Sequence, residues 1–310
     1  MKKLLIATTA LVATAGMASA DITITGAANA GYYSNLGNDD AVATAVAEVP
    51  AVAGNAGTAA AAVSAETYSD EGIYSNAGIV ATMTGATDGG LTFSASVDAE
   101  AGTEIDQGDF ILDGAASGTF GFGAVSVSGA FGTLTFDDAG IDNLYDDDLT
   151  AADVKYATSI GGMSLTIAAD AQQSDDGLSI SAGYTAGAMA FTLATSDSAA
   201  GTSASLGLTY AVTDAITLTG KTDQAGGAES VQTVGVSTTL GGVSVAASSA
   251  NDSTWDVDLG YTVGGIALTY GTDESDSWDA SASYALGGGA SFKAGMNDED
   301  SAYAGVSFAF

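Results

Sequence analysis

The residues with the most evident chemical capacity are aspartates concentrated in one short segment. Carboxylates at this density attract cations and repel anions, and carboxylate oxygens are ligands that Ca²⁺ prefers. Ca²⁺ is therefore the one cofactor that the sequence suggests. The segment has no EF-hand spacing and no glycine-rich calcium repeat, and the alternative is an acidic surface that only keeps the protein soluble. Six aspartates occur in the twelve residues from 137 to 148: Asp137, Asp138, Asp142, Asp146, Asp147 and Asp148.

The composition of the chain excludes two large classes of function. The 310 residues contain 38 Asp and Glu against five Lys, no Arg, no His and no Cys, for a formal net charge of −33. Phosphate binding needs clustered Lys and Arg, so nucleic-acid binding is excluded. Without His and Cys the chain lacks the usual general base, the usual zinc ligands and a thiol nucleophile. The composition therefore indicates a protein that is not an enzyme.

The first 20 residues read as an export signal. Two lysines and a short apolar stretch precede the small-x-small sequence Ala18–Ala20, which is followed by Asp21. We expect residues 21–310 to form a single β-barrel domain after cleavage. The alanine-rich stretch 41–63 contains Pro50 and several glycines, so it is a poor membrane helix. We predict that residues 35–70 form a long, low-complexity external loop.

Alternation of apolar and small polar residues predicts β-strands through most of the remaining chain. For example, Trp255, Val257, Leu259, Tyr261 and Val263 share one face, with Asp256, Asp258, Gly260 and Thr262 on the other. Short turns alternate with longer acidic segments, as in outer-membrane barrels. The turns predict 18 strands, enough for an aqueous channel. The eight turns lie near Gly85–Gly90, Gly129–Gly132, Gly161–Gly162, Ala186–Gly187, Thr213–Asp214, Gly241–Gly242, Gly264–Gly265 and Gly287–Gly289.

Tyrosines and the last strand add a membrane signature. Amphipathic rings at one height form an interfacial girdle in membrane barrels. The chain also ends on an alternating aromatic strand, and we predict that Phe310 is an assembly signal for the barrel-insertion machinery. Four tyrosines lie a few residues before a short turn and are in phase with the apolar face of their strands. These predicted girdle residues are Tyr184, Tyr210, Tyr261 and Tyr284.

These features resemble the trimeric general porins of alphaproteobacteria. The resemblance lies in residues 81–101, in the hairpin Gly129–Asp137, in repeated Y-x-x-G strand ends and in Leu286–Asp298. It covers most of the chain, with 35–70 as an insertion. It implies an outer-membrane barrel of 16 strands, a homotrimer, and a third external loop folded inward as a constriction, here residues 137–153.

The residues out of phase with the apolar face should line a lumen. Lysine facing lipid in mid-strand would cost about 2–4 kcal/mol, which explains the phase of all three mature lysines, Lys155, Lys221 and Lys293. The porin family typically opposes acidic loop residues with arginines on the barrel wall, and this chain has no arginine. Carboxylates without that counterpart predict cation selectivity.

The leading hypothesis is a passive channel for ions and small hydrophilic solutes in the Gram-negative outer membrane. Its expected partners are membrane lipid, lipopolysaccharide, the insertion machinery and two further copies of the chain. The alternatives are an acidic secreted adhesin or surface-layer protein built as a soluble β-sandwich or solenoid, and a barrel hydrolase. Acid–base catalysis in such hydrolases generally uses His, which is missing here.

Overall fold

Nearly all of the residues that the structure describes form β-strands. The computed structural model describes residues 21–38, 71–146, 150–171, 177–198 and 201–310. The predicted export signal and most of the predicted loop 35–70 lie outside these ranges. No helix in the described ranges is long and apolar enough to cross a membrane.

The described residues form nineteen strands, of which eighteen build the wall of a barrel. They are β1 Asp21–Ser34, β2 Gly37–Asn38, β3 Glu71–Ala86, β4 Thr92–Asp106, β5 Ile111–Gly129, β6 Gly132–Asp142, β7 Thr150–Ile160, β8 Met163–Ala169, β9 Leu178–Ala186, β10 Met189–Ser198, β11 Gly201–Thr213, β12 Ile216–Gln224, β13 Val231–Leu240, β14 Val243–Ala250, β15 Trp255–Val263, β16 Ile266–Asp273, β17 Trp278–Gly287, β18 Ala290–Asn297 and β19 Ala302–Ala309.

The sheet closes on itself. Each wall strand pairs antiparallel with its sequence neighbour, and β19 returns to β1 from Ala27↔Ala309 to Ser34↔Ala302. The two-residue strand β2 does not belong to the wall and runs parallel to the start of β5. The turn count of 18 strands is therefore confirmed, and the family value of 16 is wrong for this chain. A closed barrel also contradicts the sandwich and solenoid alternatives.

Glycine pairs form several of the short turns. In the turns after β7, β13 and β15 both glycines have positive φ, between 59° and 90°. Two-residue hairpins of type I′ need positive φ at both central positions, and glycine reaches that conformation without a steric penalty. All eight predicted turns connect strands, so the turn chemistry predicted the hairpins correctly.

Acidic side chains order the longer connections at the other end of the barrel. Glu274 Oε2 accepts the Trp255 amide at 3.0 Å, and Asp298 Oδ1 accepts the Trp278 amide at 3.1 Å. Each carboxylate thus satisfies the first amide of a strand in the preceding hairpin. This network explains part of the acidic composition of these connections without any role in transport.

Candidate functional site: the channel constriction

The inner face of the wall consists mainly of small polar residues between β12 and β19. Cross-strand hydroxyl pairs lie along it, with 2.7 Å separating Thr269 Oγ1 from Ser281 Oγ and Ser291 Oγ from Ser307 Oγ. The opposite phase carries exposed apolar side chains such as Leu259 and Leu268. Because small hydroxyl residues leave the interior open and wettable, this face can line an aqueous lumen.

The third external connection folds into the lumen. Asn143 Nδ2 donates to Ser196 Oγ at 2.7 Å, and the Leu144 amide donates to Ser179 Oγ at 3.1 Å. Ser179 and Ser196 lie on the inner phase of β9 and β10 and are buried by this contact. A small cluster of Ile141, Ala152, Ala168 and Leu144 fixes the base of the segment. The predicted inward fold is therefore present in the described residues 143–146.

The tip of this segment is held by a charged pair on the barrel wall. The Tyr145 hydroxyl donates to Asp223 Oδ1, and Lys221 Nζ lies 2.5 Å from Asp223 Oδ2. Asp223 and Lys221 are both on the inner phase of β12. Burial and the carboxylate of Asp223 raise the pKa of Tyr145 to about 12, so the phenol remains a proton donor at physiological pH.

The described aspartates of the predicted constriction, Asp137, Asp142 and Asp146, do not form one cluster. Residues 137–140 bulge from β6, because the pairing jumps from Phe136↔Val154 to Ile141↔Ala152. Asp137 folds back within this bulge, with its Cγ 2.5 Å from the point where a Cβ on Gly140 would lie. The predicted range 137–153 is wider than the connection, since residues 137–142 and 150–153 belong to β6 and β7.

The other predicted constriction residues have different positions. Asp142 lines a cavity with Tyr145 and Lys155 between the segment and the wall. The Asp146 amide donates to Asn143 Oδ1 at 3.3 Å at the start of the tip. Asp138 lies within the bulge of β6, and Asp147 and Asp148 lie outside the described residues.

A second inward segment, the hairpin 104–112, was not predicted from the sequence. The pairing of β3 with β4 ends at Ser75↔Thr103, whereas β4 and β5 continue to pair up to Asp106↔Ile111. Beyond Thr103 the hairpin therefore leaves the wall. Its side chains Ile105, Phe110 and Leu112 are buried against Tyr33, Tyr74 and Tyr303 on the inner phase of β1, β3 and β19. The lumen consequently contains an apolar core of its own.

Glycines on the wall make room for this core. Tyr33 lies over Gly72, Tyr74 over Gly31, and Tyr303 over Gly295, where an added Cβ would come within 2.6–2.7 Å of the ring or hydroxyl. The rings therefore lie flat along the wall, and Phe110 packs on Tyr303 with ring centroids 5.5 Å apart. Phe110 has φ of 58°, a strained value for a bulky residue that this packing maintains.

The two inward segments approach from roughly opposite walls. The hairpin 104–112 packs on β1, β3 and β19, and residues 143–146 contact β9, β10 and β12. In the closed order, β1 and β10 are eight strands apart one way and ten the other. The free passage is therefore narrowed from two sides.

The register places all three lysines of the barrel on the inner phase. Lys155 pairs with Ala168, Lys221 with Gly207 and Lys293 with Gly305. Lys155 lines the cavity beside Asn143 and Tyr145, and Lys293 lines another beside Glu104 and Asp106. Lys155 thus lies near residues 143–146 and Lys293 near the hairpin 104–112, while Lys221 is paired with Asp223 beside Tyr145.

Several aspartates on the wall strands β15–β17 face the tip of the hairpin 104–112. A Cβ on Gly271 would lie 2.6 Å from Asp279 Oδ1 and 3.3 Å from Asp258 Oδ1, so both carboxylates converge over this glycine. Asp256 and Asp279 also line a cavity of about 380 Å³ with Asp109 and Phe110. The sequence indicated the phase of these aspartates, but only the cross-strand register brings them together.

The predicted girdle tyrosines lie on the outer face. Tyr184, Tyr210, Tyr261 and Tyr284 are between 37% and 48% exposed, and each pairs with apolar residues such as Met163, Met189, Leu268 and Phe292. Phe310 closes the seam, where its amide and carbonyl both bond to Gly26. Its ring covers Gly26 on the outer face, 2.5 Å from an added Cβ.

In the described part of the chain, no three acidic side chains come close enough together to hold a metal ion. This includes Asp137, Asp142 and Asp146 of the predicted constriction. A calcium site made only of those carboxylates receives no support from the structure.

A closed barrel with an apolar outer face and a hydroxyl-lined, partly obstructed lumen is the architecture of an outer-membrane channel. A family model described as Gram-negative porin matches residues 7–238, which is more than half of the chain. The chain therefore belongs to the Gram-negative porin family. As such it is a multi-pass protein of the outer membrane and a general diffusion channel.

Solved structures agree with this fold. Two variants of the porin of Rhodopseudomonas blastica, one with five substitutions and one a triple mutant, are 15% and 14% identical to the chain. Each has a TM-score of 0.52, and each match covers 94% of this chain and 100% of the other. Such low identity establishes the fold alone. No curated protein matches the sequence.

Proposed function

We propose that this porin is a cation-selective, non-catalytic diffusion channel that works as a homotrimer. One observation carries the selectivity: the carboxylates on the described inner wall outnumber the three lysines, one of which is already ion-paired. The chain has no arginine that could supply an opposing charge. The inward-facing carboxylates on the wall strands include Asp98, Glu100, Asp223, Asp256, Asp258 and Asp279.

We place the main selectivity element on β15–β17. Asp258 and Asp279 converge over Gly271, and no bulky side chain separates them there. Asp109 at the hairpin tip lines the same cavity as Asp256 and Asp279. Carboxylates on both sides of a passage raise the local cation concentration, over a distance of about 8 Å at physiological ionic strength.

The reversal potential in a planar bilayer under a KCl gradient tests this function. We expect stepwise conductance and a potential of cationic sign, reduced by combined Asp258→Asn and Asp279→Asn substitutions. Asp88→Asn is the matched control, because Asp88 lies in an exposed short turn outside the passage. An anionic potential in the wild type would overturn the selectivity. An equal reduction by Asp88→Asn would overturn the proposed location.

The trimer rests on the resemblance to trimeric porins. Its test is the migration of detergent-extracted protein before and after heating. We expect a band of three chains that collapses to one on heating. A single-chain band from unheated, conducting protein would overturn the trimer and leave the channel function intact.

A further inference from the structure

A buried amide oxygen on the inner wall has no hydrogen-bond donor. Asn76, on β3, is 8% exposed, and its Nδ2 donates to Glu100 Oε1 at 3.2 Å. Its Oδ1 is buried without a partner. Leaving a buried acceptor unsatisfied is unfavourable, so this oxygen points to a ligand that brings a positive charge or a hydrogen-bond donor.

The side chains beside this oxygen include two glutamates. Asn29, on β1, pairs directly with Asn76, and its Nδ2 donates to Glu104 Oε1 at 3.3 Å. Residues directly opposite on neighbouring strands have Cβ atoms about 4.5–5.5 Å apart. The two amides therefore hold the two glutamates side by side. Both NH₂ groups donate to carboxylates, so neither supplies a hydrogen bond to Asn76 Oδ1.

The space beside these residues is large enough for a hydrated ion. Asn29, Asn76, Glu100 and Glu104 line one cavity of about 400 Å³, together with Asp98. Glu100 lies over Gly78, where an added Cβ would be 3.7 Å from its Cγ. A larger residue than glycine at this position would narrow the cavity.

We propose that Asn76 Oδ1, Glu100 and Glu104 bind a divalent cation, and that this cation is Ca²⁺. Ca²⁺ accepts amide and carboxylate oxygens in flexible arrangements of six to eight ligands, and water would complete the shell. Mg²⁺ demands near-ideal octahedral geometry, which two glutamates on separate strand segments do not impose. The site needs only two carboxylates and an amide, so it does not depend on three converging acids.

Glu104 connects the proposed cation site to the inward hairpin. Glu104 is the first residue of the inward hairpin 104–112, whereas Asn76 and Glu100 belong to the wall. A bound cation would therefore tie the base of the hairpin to the wall. Lys293 lines the neighbouring cavity with Asn29 and Glu104, and its positive charge opposes cation binding. Removing that charge should tighten the site.

Calcium titration of the full-length protein, refolded in detergent in about 0.3 M KCl to screen diffuse attraction, tests the proposal. We expect one saturable site, weakened roughly tenfold or more by Glu100→Gln, Glu104→Gln or Asn76→Leu. Asn76→Asp should retain the site, and Lys293→Gln should tighten it. Asp258→Asn and Asp279→Asn are charge-matched controls on another wall and should leave it unchanged.

Hydrogen exchange supplies a second measurement. Ca²⁺ should slow exchange in residues 104–112 of the wild type but not of Glu104→Gln, and heat-modifiable migration shows that each variant folds. The proposal fails if no saturable site exists, if Asn76→Leu binds like the wild type, or if the Asp258 and Asp279 controls weaken binding equally. None of these outcomes bears on whether the channel conducts or prefers cations.

Discussion

The Tyr145 hydroxyl donates a hydrogen bond to Asp223 and so joins the third external connection to the inner wall of β12. Lys221 occupies the other carboxylate oxygen at 2.5 Å. Asp223 thus accepts a hydrogen bond from Tyr145 in the loop and forms an ion pair with Lys221 on the wall. The contact fixes how far residues 143–146 reach into the lumen. Tyr145 lies within the predicted constriction segment 137–153, but only the aspartates of that segment were predicted as site residues, and Asp223 was not predicted.

The ionisation of Tyr145 should release this contact at high pH. Its pKa in the folded protein is about 12, above the ordinary value of 10.0. A raised pKa means that the contact contributes fully below pH 10.0 and is lost as the pH rises through about 12. The absorbance titration of the tyrosines should lose a component near pH 12 in Tyr145→Phe.

Asp223→Asn is the second variant in this experiment. Removing the carboxylate should lower the pKa of Tyr145 toward its ordinary value, because the hydrogen-bonded negative charge is gone. If the component near pH 12 persists in Tyr145→Phe, it belongs to another tyrosine and the interpretation is wrong.

Phe110→Ala should widen the channel. Phe110 is 5% exposed and packs on Tyr303. Truncating a buried Phe costs about 3–5 kcal/mol, and here the loss falls on the attachment of the hairpin 104–112 and not on the wall. We expect higher single-channel conductance and faster proteolysis within the hairpin.

Phe122→Ala is the control for this prediction, because Phe122 is on β5, the strand that follows Phe110, but is 70% exposed. Its conductance should equal that of the wild type. Unchanged conductance in Phe110→Ala would mean that the hairpin does not obstruct the passage.

Much of the wall could be predicted because its determinants are local. Short turns with glycine or polar residues mark the hairpins, and alternation specifies the face of each residue, so the 18 strands follow from short stretches of sequence. The inward hairpin could not be predicted in this way. The alternation of Glu104–Leu112 is the same whether the hairpin continues the wall or bends away from it, and the contact that decides, Phe110 with Tyr303, joins distant parts of the chain.

The candidate site was predicted only in part for a similar reason. The aspartates from 137 to 148 stand out because they are close in sequence, yet Asp137 folds into its own bulge. Asp258 and Asp279 are less conspicuous in the sequence and become neighbours only through pairing with Gly271. Density of charge along the chain is therefore a poor guide to density of charge in the lumen.

Lysines placed on the two faces should have opposite effects. Leu259→Lys puts a charge on the apolar outer face near mid-strand and should destabilise the folded barrel by about 2–4 kcal/mol in a bilayer. Thr269→Lys puts the same charge on the inner face, two residues from Gly271. It should leave stability nearly unchanged and reduce cation selectivity, because the ammonium lies near Asp258 and Asp279.

Urea unfolding in lipid vesicles and reversal potentials measure the two effects on the same proteins. Equal losses of stability in both variants would contradict the assignment of the faces. A change in selectivity caused by Leu259→Lys alone would contradict the assignment of the lumen.

The terminal Phe310 allows packing at the seam to be separated from recognition during assembly. Its backbone bonds to Gly26 do not involve the side chain, so Phe310→Ala should keep the β1–β19 seam and refold in vitro at close to the wild-type yield. If the ring is an assembly signal, the same variant should accumulate less heat-modifiable protein in the outer membrane of cells.

Gly26→Val is the matched variant, because its side chain would collide with the Phe310 ring and should impair refolding in vitro as well. Normal assembly of Phe310→Ala in cells would show that the ring is only a cover for Gly26, and poor refolding of Phe310→Ala in vitro would show that it is chiefly a packing residue.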